Sequence, residues 1–408
     1  MRRVYYFAPG HEPWLDLICD LYRESILEPI LWIGDSRFDQ YFEHYFERCK
    51  VISLSATLRS HMSLFTDHDE LILANTEFFS SAYYVATKDR AIKMMDRLDE
   101  ISRLSRLEKE AIFNKTCFLA LQEFYINPPD YLLAVESPHT YLQYTYFQIA
   151  RFLKVKVIGF GSWGICPFLY LKDERKKTPV KKPFCDSEFG SDCNEINSMI
   201  NNYLESVLLA SEDYQPDYML DQARSSKRSK RKLLKNGASF FRKILTGDAR
   251  FSTASAVLKE KRSRALLASE YRSLCQSPPG NQRPYIYFAL QYEPERTTNP
   301  DGGKYHDQLL AIARLREWCP NTIDIYVKEH PSQFYSSMKG YRGRCPIFYK
   351  AVADLVGVYL VKEEVGSIGL LDSSSFVATI TGTVALEAAV RGKKAICFGD
   401  AWYVGCPN

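Results

Sequence analysis

"TITGTVALEAAVRGKKAICFGDAWY", residues 379–403, decides the fold. Apolar residues close a strand, Thr381, Gly382 and Thr383 form a turn, an alanine-rich stretch holds Glu387, and "KAICFG" makes a second apolar run. Strand, turn, short helix and strand make a βαβ unit, and strands without polar alternation are covered on both faces. Such a unit belongs to a parallel sheet with right-handed crossovers.

Working backwards, the same alternation begins after Pro284: "YIYFAL", a helix ending near Cys319, then "IDIYVK", "VGVYLV" and "FVATI". It recurs at the start of the chain, where "RRVYYFA" and "EPILWIG" flank a helix from about Trp14 to Ser25. Residues 70–126 carry helical spacing, and "YLLAV", a helix from about His139 to Leu153, and "VKVIGF" make a further βαβ unit. At 408 residues the chain exceeds the roughly 250 at which single cores stop growing, so two domains are expected. With 46% hydrophobic and 25% charged residues, global disorder is excluded.

Between the two series lies "RSSKRSKRKLLKNGASFFRKIL", followed by "KEKRSRALL" and "SPPGNQRP". The expected division is therefore a Rossmann-like domain with a helical insertion over 1–215, a basic linker over 216–282, and a second Rossmann-like domain over 283–408. The net charge of +4 is concentrated in that linker. Its Lys and Arg residues, interleaved with Phe and Leu pairs, suit an anionic membrane surface. A solvated connector and a nucleic-acid patch are the other readings.

The longest apolar runs stop after about seven residues, far below the roughly 18 to 20 that cross a bilayer. "MRRVYYFAPGHEPW" breaks at Pro9 and Gly10 before a signal-peptide core develops, so a cytoplasmic location is expected. The eleven cysteines are scattered and never form Cys-x-x-Cys, and the seven histidines show no paired helical spacing. No disulfide framework, metal or cofactor is expected. Neither Gly-x-Gly-x-x-Gly nor a Walker loop is present, which disfavours dinucleotide and P-loop chemistry.

Three groups of polar residues fall at carboxyl ends of strands in the second series. The loop after "YIYFAL" holds Glu293, Glu295, Arg296, Thr297 and Thr298 and is longer than a connection needs. Lys328, His330 and Pro331 follow "IDIYV"; a Lys and a His there can neutralise phosphate, and the His can donate to a leaving oxygen. Thr381, Gly382 and Thr383 open a helix, where hydroxyls and backbone N–H groups can meet a phosphate. Glu387, one turn on, is placed for ribose hydroxyls. The ordinary readings are an exposed Lys328, a capping His330, and a Thr N-cap with a solvated Glu.

"YFALQYEPERTTNPDGGKYHDQLLAI", "IYVKEHPSQF" and "ATITGTVALEAAVRGKKAICFGDAWY" together resemble the capsule polysaccharide biosynthesis family, related to bacterial Kdo transferases. "PDYLLAVESPHTYLQYTYFQIARFLKVKVIGF" resembles the same family's first domain more loosely. The resemblance implies a metal-independent GT-B glycosyltransferase with two Rossmann-like domains facing a central cleft. The second would hold a nucleotide-sugar and the first a glycan or glycolipid acceptor. It assigns donor contacts to His330, Pro331, Thr381, Gly382, Thr383 and Glu387, and favours CMP-Kdo, with UDP- and GDP-sugars left open. It also implies further helices after "GDAWYVGCPN", so a truncated second domain is an expectation.

Glycosyl transfer needs a base or nucleophile at the acceptor. First-domain candidates are His11 and Glu12, Asp35, and Glu136 with His139, each also explicable as a loop or cap residue. "YLQYTYFQ" suits an acceptor surface. The expected function is transfer of a sugar onto a surface glycan at the inner face of the membrane, without nucleic-acid binding. The alternatives are a nucleotide-sugar epimerase and a non-catalytic assembly or export partner with the same fold.

Overall fold

The computed structural model describes residues 1–8, 11–54, 75–98, 104–162, 169–173, 178–179, 192–211, 220–222, 224–225, 251–277 and 283–404. The chain divides into two compact units, Met1–Gly190 and Ser191–Asn408. Each is α/β and built on a parallel sheet, the class expected of a GT-B-like chain.

In the first unit the elements are β1 (Arg2–Ala8), α1 (Glu12–Arg23), β2 (Leu27–Asp35), α2 (Asp39–Tyr45), β3 (Lys50–Leu54), α3 (Ala82–Leu98) and α4 (Arg106–Ile126). They continue with β4 (Tyr131–Ala134), α5 (Tyr141–Phe152), β5 (Lys156–Ser162), β6 (Leu169–Asp173) and β7 (Thr178–Pro179). The sheet order is β3-β2-β1-β4-β5-β6-β7. The first five strands are parallel in the doubly wound order. β6 and β7 add an antiparallel edge that the βαβ pattern does not encode.

Alternate residues of β1 serve opposite faces, as the period of two requires. Val4, Tyr6 and Ala8 pack with Trp32, Leu133, Ile18 of α1 and Phe42 of α2. Tyr5 and Phe7 pack with Leu31, Ile33 and helices α3, α4 and α5. The indole of Trp32 stacks on Phe42 with centroids 4.1 Å apart. In α5, every residue from Tyr141 to Ala150 is buried. The expected acceptor surface "YLQYTYFQ" is therefore core: this helix is enclosed between the sheet and α3 and α4, and its aromatics fill that layer.

The second unit contains α6 (Asp192–Leu208), α7 (Phe251–Leu274), β8 (Tyr285–Ala289), α8 (Gln308–Trp318), β9 (Asp324–Lys328), α9 (Pro346–Ala353) and β10 (Val358–Val361). α10 (Ser367–Ser373), β11 (Phe376–Thr379), α11 (Val384–Val390) and β12 (Lys394–Cys397) complete it. All five strands are parallel, in the order β10-β9-β8-β11-β12. α8 and α9 cover Ile286, Phe288, Ile325 and Val327 on one face. α10 and α11 cover Tyr287, Tyr326 and Val377 on the other, because β11 lies on the opposite side of β8.

Two boundaries differ from the sequence reading. α6 belongs to the second unit, where Arg391 Nη1 donates to the carbonyls of Val207 at 2.7 Å and Leu208 at 3.1 Å. The second half of the expected linker is α7, whose Leu267 and Tyr271 are fully buried in the second core. The charge of "KEKRSR" masked the four-residue spacing that buries one stripe of this helix. The basic run 226–250 lies outside the described residues. Among the described residues no helix is long and apolar enough to cross a membrane, and the described cysteines are all free.

Candidate functional site

Each sheet reverses its winding once, between β1 and β4 in the first unit and between β8 and β11 in the second. Ligands of open parallel sheets bind beyond the carboxyl ends of strands at such a reversal. The sequence candidates fall at both places.

In the second unit the loop after β8 and the turn after β11 are tied together by Gln291. Its Oε1 accepts from the Thr381 N–H at 2.8 Å, and its Nε2 donates to Oγ1 of Thr381 at 3.0 Å and of Thr297 at 3.2 Å. The Thr381 hydroxyl donates onward to the Thr297 carbonyl at 2.7 Å. Thr381 thus joins two loops, and both of its protons are engaged inside the protein. Gly382 is required by space: a Cβ there would lie 2.8 Å from Thr379 Oγ1. Its carbonyl accepts from the Tyr403 hydroxyl.

Thr383 is exposed and makes no side-chain cap; its hydroxyl donates to Glu387 Oε1 at 2.9 Å. Burial raises the Glu387 pKa, opposed by that hydroxyl and by Arg391. Glu295 and Arg296 are partly exposed on the β8 loop, whereas Glu293 is buried and accepts from Gln308 Nε2 at 3.2 Å. Gln291→Leu is expected to strand the Thr381 N–H in the core and cost about 1–3 kcal/mol, read by denaturant unfolding.

At the end of β9 three consecutive residues diverge. Lys328 turns toward α10, where Nζ donates to the Val365 carbonyl at 2.5 Å and Ser367 Oγ at 2.9 Å. Burial brings its pKa down to about 8. The expected phosphate contact is thereby replaced by a tie between β9 and α10. His330 is partly buried, and its Nδ1 accepts the Ser332 N–H at 3.2 Å across the turn that Pro331 opens. Desolvation pushes its pKa down to about 4, with Arg344 and Lys328 adding to the shift. The ring is therefore neutral near pH 7, and with Nδ1 accepting, its proton resides on Nε2, a hydrogen-bond donor without charge.

Between them stands Glu329, which sequence reasoning passed over. Its carboxylate meets Arg344 Nε at 2.8 Å, the Tyr349 hydroxyl at 2.6 Å and the His330 N–H at 2.8 Å. Burial raises its pKa against the pull of Arg344. Arg344 Nη2 also donates to the Gln291 carbonyl at 2.8 Å, so one ion pair braces the β8 and β9 ends together. The signal in the sequence was a carboxylate between Lys328 and His330 at a strand end, and its partner could not be chosen from the many arginines.

In the first unit, His11 precedes α1 and Glu12 begins it, both exposed, and Glu136 and His139 follow β4. Since β1 and β4 are neighbours, these two loops share one carboxyl edge. His139 Nδ1 lies 3.3 Å from Glu136 Oε1, an acid–base pair. Asp35, one strand further, accepts from the Arg37 N–H and Nε, both at 3.0 Å. Those bonds hold its carboxyl below the usual range and give it a capping role. Among the described residues, no group of three or more His, Cys, Asp and Glu side chains is placed to hold a metal ion.

Residues 251–406 match the family model described as "Capsule polysaccharide biosynthesis protein". No curated protein matches the chain. Solved structures similar to it include Thermosulfurimonas dismutans KpsC, beta Kdo 2,7 transferase, at 16% identity over 80% of this chain and 78% of that one, TM-score 0.29. UDP-GlcNAc 2-epimerase from Neisseria meningitidis bound to UDP-GlcNAc is 11% identical over 97% and 82%, TM-score 0.22. Likeness at these scores adds nothing to the sheet orders described above. The family match begins at the first residue of α7 and so includes the helix that the core recruits. The match to the capsule polysaccharide biosynthesis family is thus a likeness of α7 and the second sheet, over residues 251–406.

Proposed function

We propose that the chain is a metal-independent glycosyltransferase that moves a sugar, Kdo from CMP-Kdo in first place, from a nucleotide donor to a capsular or surface glycan or glycolipid. The observation that carries this reading is the neutral His330, fixed with Nε2–H as its donor at the strand ends beside the β8–β11 reversal. A departing nucleotide phosphate gains negative charge as the glycosidic bond breaks, and a pre-set N–H stabilises that charge without reorganisation. Pro331 fixes the turn, Thr383 and Glu387 face the ribose, and Glu295 and Arg296 complete the donor site. Lys328, Thr381 and Gly382 support that site from within.

The acceptor side is assigned to the first unit. The Glu136–His139 pair is the leading base or nucleophile, with Glu12 and His11 on the adjoining loop and Asp35 beyond them. The family's description supports a capsule-building role; a place at the inner face of the cytoplasmic membrane, with peripheral attachment through basic residues, is our own extension of it.

Thermal unfolding with CMP, UDP, GDP and their sugar conjugates tests the reading. A saturating ligand at about a hundred times its Kd adds about 2.7 kcal/mol to the folded state. The expected result is a raised midpoint with cytidine nucleotides, unchanged by a chelator and lost in His330→Ala. A shift with UDP-sugars alone would reassign the donor. No shift with any nucleotide would return the chain to a non-catalytic assembly role.

A further inference from the structure

The outward face of α7 carries a chemistry that the donor and acceptor sites do not use. Between Leu258 and Ser273, the exposed residues include Lys259, Lys261, Arg262 and Arg272, and none of the exposed residues is acidic. The two carboxylates of this stretch are turned aside: Glu260 pairs with Arg264 at 2.7 Å and Glu270 approaches Lys350 at 3.5 Å. Arg272 is already paired with Glu363 at 2.8 Å, which leaves three cations for an outside partner.

Among these cations stand two large apolar side chains, Leu258 at 67% and Leu266 at 51% exposure. On a helix at 100° per residue, Leu258 and Leu266 lie about 80° apart, with Arg262 between them and Lys259 and Lys261 at the flanks. The opposite stripe is fixed in the core by Leu267 and Tyr271, so the helix cannot roll to hide its leucines.

We propose that this face of α7 is a docking surface for an anionic lipid bilayer. Cations flanking apolar side chains are what an interfacial helix presents: the leucines enter the headgroup boundary and the Lys and Arg heads remain with the phosphates. A soluble polyanion or nucleic acid would be met by the cations but gains nothing from the leucines. The charge match and the apolar pair therefore favour lipid. This surface rests on the peripheral attachment proposed above and deepens it by locating it on α7 and its leucines; it does not depend on the glycosyltransferase activity.

Co-sedimentation of the full chain with phosphatidylcholine vesicles, with and without phosphatidylglycerol, tests the proposal. The expected result is binding to the anionic vesicles only, weakened by salt. Lys259→Glu/Lys261→Glu/Arg262→Glu should weaken it by more than about a hundredfold, since each lost cation near such a surface is worth about fivefold and each new carboxylate is repelled. Leu258→Ser/Leu266→Ser should weaken it about tenfold with charge unchanged. All five positions are exposed, so melting temperatures should not move. Should the charge reversal nonetheless unfold the chain, Lys259→Gln/Lys261→Gln/Arg262→Gln replaces it, with about a hundredfold weakening expected. Vesicle binding equal to wild type in both variants would overturn the proposal, as would a wild-type chain that ignores anionic vesicles. A loss in the charge variant alone, mirrored by binding to dextran sulfate, would reassign the face to soluble polyanions.

Discussion

Arg344→Leu is expected to destabilise the second unit by about 3–5 kcal/mol, one of the two largest effects anticipated for this chain. Arg344 and Glu329 have side chains 2% and 0% exposed and meet at 2.8 Å. Removing the guanidinium leaves a carboxylate in a low-dielectric core with only neutral donors, the Tyr349 hydroxyl and the His330 N–H. The Gln291 carbonyl loses a donor as well. Without its counter-charge the Glu329 carboxyl is pushed above its unfolded pKa, so the folded state binds the extra proton. That contribution is present below the unfolded pKa of about 4.3 and lost as pH rises through the higher folded value. The deficit of Arg344→Leu should therefore shrink on acidification. Glu329→Leu/Arg344→Leu should cost less than Arg344→Leu alone, because no orphaned charge remains. Denaturant unfolding of the three chains at neutral and acidic pH gives these values. A single-variant loss below about 1 kcal/mol would mean that water reaches Glu329.

The parts of the fold that were legible in sequence are those with local signatures. "YIYFAL" and "KAICFG" read as strands because burial on both faces leaves no polar alternation. Thr383 and Gly382 marked the turn, and strand ends marked where polar residues collect. What escaped depends on pairing across distance. Gln291 and Thr381 are 90 residues apart, and only the β8–β11 register brings them into contact. The aromatics of α5 carried the composition of a sugar-binding surface, yet their helix is enclosed on all sides. α7 carried the composition of a linker, yet one stripe of it is core. In both helices composition was read where burial decides. Lys328 failed for a related reason: the residue type suited a phosphate, but α10 offered a carbonyl and a hydroxyl within reach.

His330→Gln is expected to remove about 3 kcal/mol of acid-side instability from the chain. In the folded protein the imidazole has its pKa pushed down to about 4, against about 6.5 in the unfolded chain. Between those values the unfolded ring holds a proton that the folded ring does not. Stability therefore rises with pH across this window, and a wild-type chain loses it as pH falls from about 6.5 toward 4. Glutamine has no such proton, so its stability curve should be flatter over the same range, with the difference between the chains growing as pH falls. The same titration separates two ways in which His330 could hold a nucleotide. A neutral Nε2–H donor serves unchanged from about pH 5 upward, so the nucleotide-dependent difference between wild type and His330→Gln should be level across neutrality. A cationic ring would attract phosphate strongly below about pH 6 and lose that attraction as pH rises. Comparing the two chains cancels the ionisation of the phosphate itself. A difference that falls tenfold between mildly acidic and neutral pH would show a charged ring in the complex and would sink the neutral-donor mechanism. A level difference leaves the hydrogen bond as what His330 contributes.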